Sequence, residues 1–138
     1  MTDAAPPSSD VVAVAEFRTA LRRFLRISER NARAAGLTPQ RYLLLLMIKG
    51  APDGSEQSTV TELADRLQLA QSTVTELVGR AEEIGLVERE RSVDDGRIAY
   101  LRVTPEGERR LARSFTSNAS ERASLREAFA QLDEQALA

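Results

Sequence analysis

Apolar residues return every three or four positions through most of the chain, and the breaks in that rhythm mark out its elements. Over residues 11–34, Val14, Phe17, Leu21, Phe24, Leu25 and Ile27 make one stripe, while Arg18, Arg22, Arg23, Arg26 and Arg30 take much of the other surface. That pattern predicts one long amphipathic helix. Asp10 is placed to cap it, and the small, polar residues before it, with Pro6 and Pro7, predict a disordered tail over residues 1–10. Gly36 ends the helix, Thr38 followed by Pro39 supplies an N-cap with proline at the first helical position, and residues 41–49 form a second helix that Gly50 stops. Its run LLLLMI is apolar nearly all round, so other elements must wrap it, and it is too short to span a membrane.

Residues 51–57, APDGSEQ, predict a turn-rich loop. Thr59 with Glu62 then fits a capping box ahead of Leu63, Ala64 and Leu67, which opens a short helix. After the turn Gln68-Leu69-Ala70, the segment 71–84 gathers Val74, Leu77, Val78, Ala81 and Ile84 on one stripe and stops at Gly85. Two short helices about three residues apart, the second with a polar outer face, make a helix-turn-helix. Residues 87–92 and 98–103 are β-prone, with an Asp95-Gly96 hairpin signal between them, and predict a β-wing. Thr104-Pro105 repeats the cap-plus-proline device ahead of a helix carrying Leu111, Ala112 and Phe115. Ser120 or Asn118 caps a last helix carrying Leu125, Phe129 and Leu132.

The expected fold is mostly α, a winged helix-turn-helix with a small two- or three-stranded wing and terminal dimerisation helices. It divides into a tail (1–10), N-terminal supporting helices (11–50), a winged lobe (51–104) and C-terminal helices (105–138). Phe17, Leu21, Phe24, Phe115, Leu125, Phe129 and Leu132 cannot all be covered within terminal helices of one chain, so a second copy is their natural sink.

Composition narrows the chemistry. With 138 residues, 42% hydrophobic and only 4% aromatic, the chain can bury one modest core of Leu, Val, Ile and Ala. It has no cysteine and no histidine, which removes disulfides, thiolate metal sites and the commonest general base, and neither a cofactor nor a metal is expected. The adjacent Asp94 and Asp95 lack the burial and third partner that acid–base or metal chemistry needs, so the expectation is a protein that is not an enzyme. The first ten residues lack the basic and apolar regions of a signal peptide, and the expected location is the cytoplasm. A net charge of −2 does not advertise a polyanion partner; Lys49 is the only lysine, so nearly all positive charge is arginine, the side chain suited to bidentate contacts with phosphate and guanine.

On the second helix of the pair, Ser72, Thr75, Glu76, Gly79 and Arg80 lie away from the buried stripe. Ser72 and Thr73, near the amino end, can meet phosphate or base edges with the help of unpaired N–H groups, Arg80 can reach guanine or phosphate, and Glu76 can accept from a cytosine amino group. The plainer alternative is a solvated face with an intrahelical Glu76–Arg80 pair. Arg97 leaves the hairpin tip where a narrow minor groove attracts a guanidinium, with Asp95 to orient it; alone, the same residues are an ordinary turn with an exposed arginine. The arginines of the first helix are a solvated face, or else partners for Glu106, Glu108, Glu121 and Glu127 of a second subunit.

The order of elements, with TVTELA entering the helix-turn-helix, STVTELVGRAEEIGLVER through its second helix, and Asp95-Gly96-Arg97 followed by LRVTPEG, resembles the MarR family of bacterial regulators over residues 11–138. The resemblance implies a homodimer with interlocked terminal helices, a recognition helix in the major groove, a wing in the minor groove, and a transcriptional repressor that a small-molecule effector releases from a pseudo-palindromic double-stranded DNA operator. Ser72, Thr73, Thr75, Glu76, Arg80, Asp95 and Arg97 are the DNA-binding candidates it singles out, and Arg41 and Tyr42 the ligand-binding ones. Two positions depart from the family pattern: Ala70 stands where a serine cap is frequent, leaving Ser72 as an alternative cap, and Glu76 where Arg or Lys is frequent. The second departure motivates the alternative of a winged-helix protein-interaction module that does not bind DNA.

Overall fold

The computed structural model describes residues 4–137; residues 1–3 of the expected tail and residue 138 of the last helix lie outside them. The elements run α1 (Ser8–Ala34), α2 (Pro39–Lys49), β1 (Gln57–Ser58), α3 (Val60–Leu67), α4 (Gln71–Glu83), β2 (Val87–Arg91), β3 (Ala99–Val103), α5 (Pro105–Ser117) and α6 (Ala119–Leu137). They form two compact units, one from the chain up to Asn31 together with the chain from Thr116 onward, the other from Ala32 to Phe115. No helix among the described residues is long and apolar enough to cross a membrane.

The larger unit is a winged helix. Leu44, Leu45 and Ile48 of α2, Leu63 of α3, Val74 and Val78 of α4, Leu86 and Leu101 are all fully buried in one core. Each contributes roughly 1.5–3 kcal/mol by burial. Most capping expectations hold: the Thr38 hydroxyl accepts from the Arg41 N–H at 3.1 Å, and Thr59 and Glu62 form the reciprocal capping box. Helices α1, α3 and α4 end in the same way. In each, a residue at positive φ (Gly36, Gln68, Gly85) is followed by an apolar residue whose N–H reaches back to a carbonyl of the last turn: Leu37 to Ala32, Leu69 to Ala64, Leu86 to Ala81. These are Schellman ends, and only at Gln68 does a side chain other than glycine take the strained conformation.

Three expectations are corrected. α1 begins at Ser8, ahead of Asp10, because the Pro7 carbonyl already accepts from the Asp10 and Val11 N–H groups. Asp10 therefore sits in the first turn, where its charge meets the positive end of the helix dipole, and residues 8–10 leave the expected tail. The loop 51–57 is not wholly a loop: after Gly54 (φ 76°) and Glu56 (φ 58°) reverse the chain, Gln57 and Ser58 pair antiparallel with Arg102 and Leu101. The sheet has three strands, ordered β1-β3-β2. The wing does not turn on a two-residue Asp95-Gly96 hairpin either. Ser92 N–H donates to the Ile98 carbonyl, and the reversal is a turn from Asp95 to Ile98, whose N–H donates to the Asp95 carbonyl at 3.0 Å, with Gly96 outside the positive-φ region.

The smaller unit keeps much apolar surface in the open. Phe17 and Phe129 meet edge to face with centroids 6.0 Å apart, yet Val11, Val12, Val14, Leu25 and Phe129 all remain about half exposed. Its buried centre is polar: the Asn118 side chain accepts from Asn31 at 2.7 Å and donates to the Ser28 hydroxyl. Asn118, and not Ser120, precedes α6, its carbonyl taking the Arg122 N–H. In the winged unit Glu106 is engaged by Arg109 and Arg110, and Glu108 by Lys49 at 2.7 Å, so these carboxylates do not wait for a second subunit's arginines.

α5 is seated on the turn that closes α4. The Thr104 N–H donates to the Leu86 carbonyl at 3.0 Å, its hydroxyl donates to the Gly85 carbonyl and accepts from the Gly107 N–H. Gly107 is buried, and a Cβ there would lie 2.4 Å from the Leu86 carbonyl oxygen and 2.7 Å from Val103 Cγ1. Gly107→Ala is therefore expected to lose about 1–3 kcal/mol of stability, although alanine is the better helix former. Chemical denaturation of the purified variant checks this; unchanged or raised stability contradicts so close a contact.

Candidate nucleic-acid interface

The face of α4 opposite its buried stripe is where a polyanion can be met. Val74, Val78 and Ala81 are fully buried, while Ser72, Thr73, Thr75, Glu76 and Arg80 are all exposed. The helix starts at Gln71 with Ala70 as its N-cap and no side-chain cap bond. The alternative start at Ser72 is thereby excluded, and Ser72 and Thr73 occupy the second and third helical positions. Their hydroxyls and the uncapped N–H groups of this first turn project from the same end, an arrangement that suits phosphate oxygens.

Glu76 and Arg80 are joined: the Arg80 Nη2 donates to Glu76 Oε1 at 2.7 Å, one turn apart, with side chains 64% and 62% exposed. In water such a pair is worth only a few tenths of a kcal/mol, so it leaves the fold's stability almost unchanged and both side chains free to take a new partner. Between them on the helix lies Gly79. Glycine in mid-helix costs about 0.5–1 kcal/mol relative to alanine, and apart from its chain neighbours and the backbone of its own helix nothing lies within 4 Å of where its Cβ would stand. The protein itself does not require the missing side chain.

On the wing, Asp95 Oδ1 accepts from the Arg97 backbone N–H at 3.0 Å and from its Nε at 3.2 Å. The backbone hydrogen bond, and then the guanidinium, hold the Asp95 carboxyl below its ordinary range. Arg97 Nη2 also donates to Asp95 Oδ2 at 3.4 Å, so Asp95 grips one edge of a guanidinium whose side chain is 92% exposed. A cavity of about 420 Å3 lies between the wing and the start of α3, lined by Thr59, Thr61, Arg89, Arg97 and Ile98 among others. Arg89 reaches from it to Glu82 of α4 at 2.9 Å. Sequence reasoning passed over Arg89 and Thr61. The alternation ERER over residues 88–91, which puts Arg89 and Arg91 on one strand face, was the available signal for the first; for Thr61 there was none.

Of the two ligand candidates, Tyr42 is 6% exposed and packs in the core of the winged unit, and Arg41 sits half-buried in the first turn of α2. Tyr42 shares the buried cluster with Val74 and Val78 of α4, on the side of the helix opposite the exposed candidates. No cluster of three or more acidic, histidine or cysteine side chains able to hold a metal occurs among the described residues.

Comparison with known proteins agrees with the geometry. The sequence profile of the MarR family matches residues 35–98. The chain is 30% identical over 107 residues to YsmB of Bacillus subtilis, an uncharacterised HTH-type transcriptional regulator, covering 75% of this chain and 70% of that one. Among solved structures, the MarR family transcription regulator SP03579 superposes with a TM-score of 0.70 at 22% identity over 92% of this chain and 82% of its own. A MarR variant from E. coli, complexed with operator DNA, superposes with a TM-score of 0.62 at 17% identity over 86% and 77%.

Two outcomes are expected. Gly79→Ala gains about 0.5–1 kcal/mol of stability and loses affinity for double-stranded DNA, since the only thing an added methyl can obstruct is something outside the protein. Thermal melts with binding titrations test both signs; unchanged affinity removes Gly79 from the interface. Arg97→Ala loses about 1–3 kcal/mol of DNA binding at all sites alike, with a salt slope shallower by about one unit and an unaltered melt. Wild-type affinity and salt dependence in that variant would show that the wing stays out of the groove.

Proposed function

The chain belongs to the MarR family of transcription regulators, and from that membership we propose that it is a homodimeric repressor. In this reading each subunit lays α4 in the major groove of a pseudo-palindromic operator and its wing arginine, Arg97, in the adjacent minor groove. Ser72 and Thr73 take the phosphates at the amino end of α4; Thr75, Glu76 and Arg80 face the bases; Asp95 holds Arg97 in place. The observation that carries the reading is the polar, exposed face of α4 beside an arginine-bearing wing on one shared hydrophobic core. Its place of action is the cytoplasm, and it performs no catalysis.

Dimerisation is supported by the apolar surface of the terminal helices, where Val11, Val12, Leu25 and Phe129 are each more than half exposed. A second copy of the same helices is the simplest cover for it. Repression follows where the operator overlaps a promoter, because a bound dimer excludes other proteins from those base pairs. Release by a small-molecule effector has a candidate groove on the winged unit, lined by Gly36 and by Glu106, Arg109, Arg110 and Arg113 of α5. Arg110 there donates to the Gly36 carbonyl at 2.9 Å, so a ligand that draws its guanidinium away disturbs the end of α1.

Selection of bound fragments from random DNA at about 50 mM salt is expected to yield a pseudo-palindrome with half-site centres roughly 10 bp, or a multiple of that, apart. The protein should sediment at twice its 15.2 kDa chain mass. Phe129→Glu is expected to give folded monomers that bind the operator far more weakly. Enrichment of no sequence at all would favour the protein-interaction module instead, and a monomeric wild type would remove the two-fold arrangement.

A further inference from the structure

Glu76 occupies an unlikely place for a carboxylate near DNA. In helical projection it lies about 180° from the midpoint of Val74 and Val78, at the centre of the exposed face. A residue at the margin of that face meets phosphates; one at its centre meets the groove floor. Only an amino group offers a carboxylate a hydrogen bond there, and in the major groove that means cytosine N4 or adenine N6.

The Arg80 bond decides between them. The ion pair presents a donor and an acceptor side by side, Nη2 and Oε1, 2.7 Å apart. Within a C·G pair the guanine O6 and the cytosine N4 are likewise side by side, hydrogen-bonded to each other at an ordinary distance of about 2.9 Å. Bringing the two edges together closes a ring of four hydrogen bonds: Nη2–H to O6, N4–H to Oε1, and the two bonds that already exist. Nη1 is left beside guanine N7, a second acceptor. An A·T pair also sets an amino group beside a carbonyl, but the next group beyond thymine O4 is the C5 methyl, which leaves the second guanidinium nitrogen unpaired. Gly79, with open space where a side chain would be, keeps the flank of this pair clear.

The geometry points to Glu76 and Arg80 acting as one composite reader of a single C·G base pair in each half-site, in place of two residues that read two positions. This rests on the major-groove docking of α4 proposed above. It makes the carboxylate, which by itself repels the polyanion, a specificity element whose charge Arg80 offsets.

The test is selection from random double-stranded DNA with the wild type, Glu76→Ala, Arg80→Ala and the double variant, followed by titration of the selected operator with each base pair replaced in turn. Both side chains are exposed, so all four proteins should melt alike. The expected result is a C·G pair in each half-site favoured by about tenfold or more over the other three pairs. Either single substitution should abolish that preference at the same position, and the double variant should relax it no further. Replacing the guanine there by 7-deazaguanine should cost the wild type affinity and leave Arg80→Ala unaffected. If the two substitutions relax different positions, if the shared position is A·T, or if neither changes the profile while an operator is still selected, the composite reader is wrong and the docking of α4 survives. If the wild type selects nothing, both fall together.

Discussion

The turn at Gly85 and Leu86 is the point on which the DNA-facing parts depend. Leu86 is fully buried, its N–H closes α4 by reaching back to Ala81, and its carbonyl accepts from Thr104. The next residue, Val87, opens β2, and α5 is pressed against the same carbonyl at Gly107. Helix α4 ends and β2 begins at this dipeptide, and α5 is tied to it through the Thr104 backbone bond and the close approach of Gly107. Because α4 and the wing share this joint, the exposed face of α4 and the wing arginine are both tied to one backbone turn.

What the sequence made readable was what single residues enforce. Proline after threonine starts α2 and α5, the Thr59–Glu62 pair starts α3, and Gly36 and Gly85 end their helices, because each of these residues has one dominant local use. The buried stripe of α4 was equally legible, and so was the exposed face that defines the candidate site. Less legible were features set by neighbours distant in the chain. Gln68 carries no left-handed preference, yet it takes that conformation because α3 must stop there for α4 to cross it. β1 is two residues long, too short to show alternation, and exists because β3 offers an unpaired edge. The Asp95-Gly96 pair suggested the tightest hairpin, whereas Asp95 spends its carboxylate on the Arg97 N–H and the chain turns one step later. Tyr42 could not be assigned to core or ligand site without knowing which face of an all-apolar helix is covered.

The near-neutral charge also becomes intelligible. Three of the arginines available to a polyanion are held by carboxylates of the same unit, Arg80 by Glu76, Arg89 by Glu82 and Arg97 by Asp95. Such a surface gives up indiscriminate attraction to phosphate, since each paired arginine must exchange one anion for another before it contributes. Affinity then depends more on shape and on base edges than on charge. A regulator that must leave most of a genome unoccupied benefits from that exchange.

Lys49, the only lysine, holds Glu108 at 2.7 Å and Glu56 at 3.0 Å, joining the end of α2 to α5 and to the strained residue ahead of β1. The Glu108 and then the Glu56 hydrogen bonds raise its ammonium above the ordinary lysine range, so the free amine is rarer than on an unpaired lysine. Acylating agents, enzymatic or synthetic, attack through that free amine and meet a poor nucleophile at Lys49. Where acylation does succeed, a neutral amide stands between two carboxylates that had shared one cation, and the segment leading into the sheet loses its tether to α5. In this chain lysine chemistry thus bears on the architecture behind the exposed face of α4 and the wing, and that face, built on arginine, lies beyond its reach.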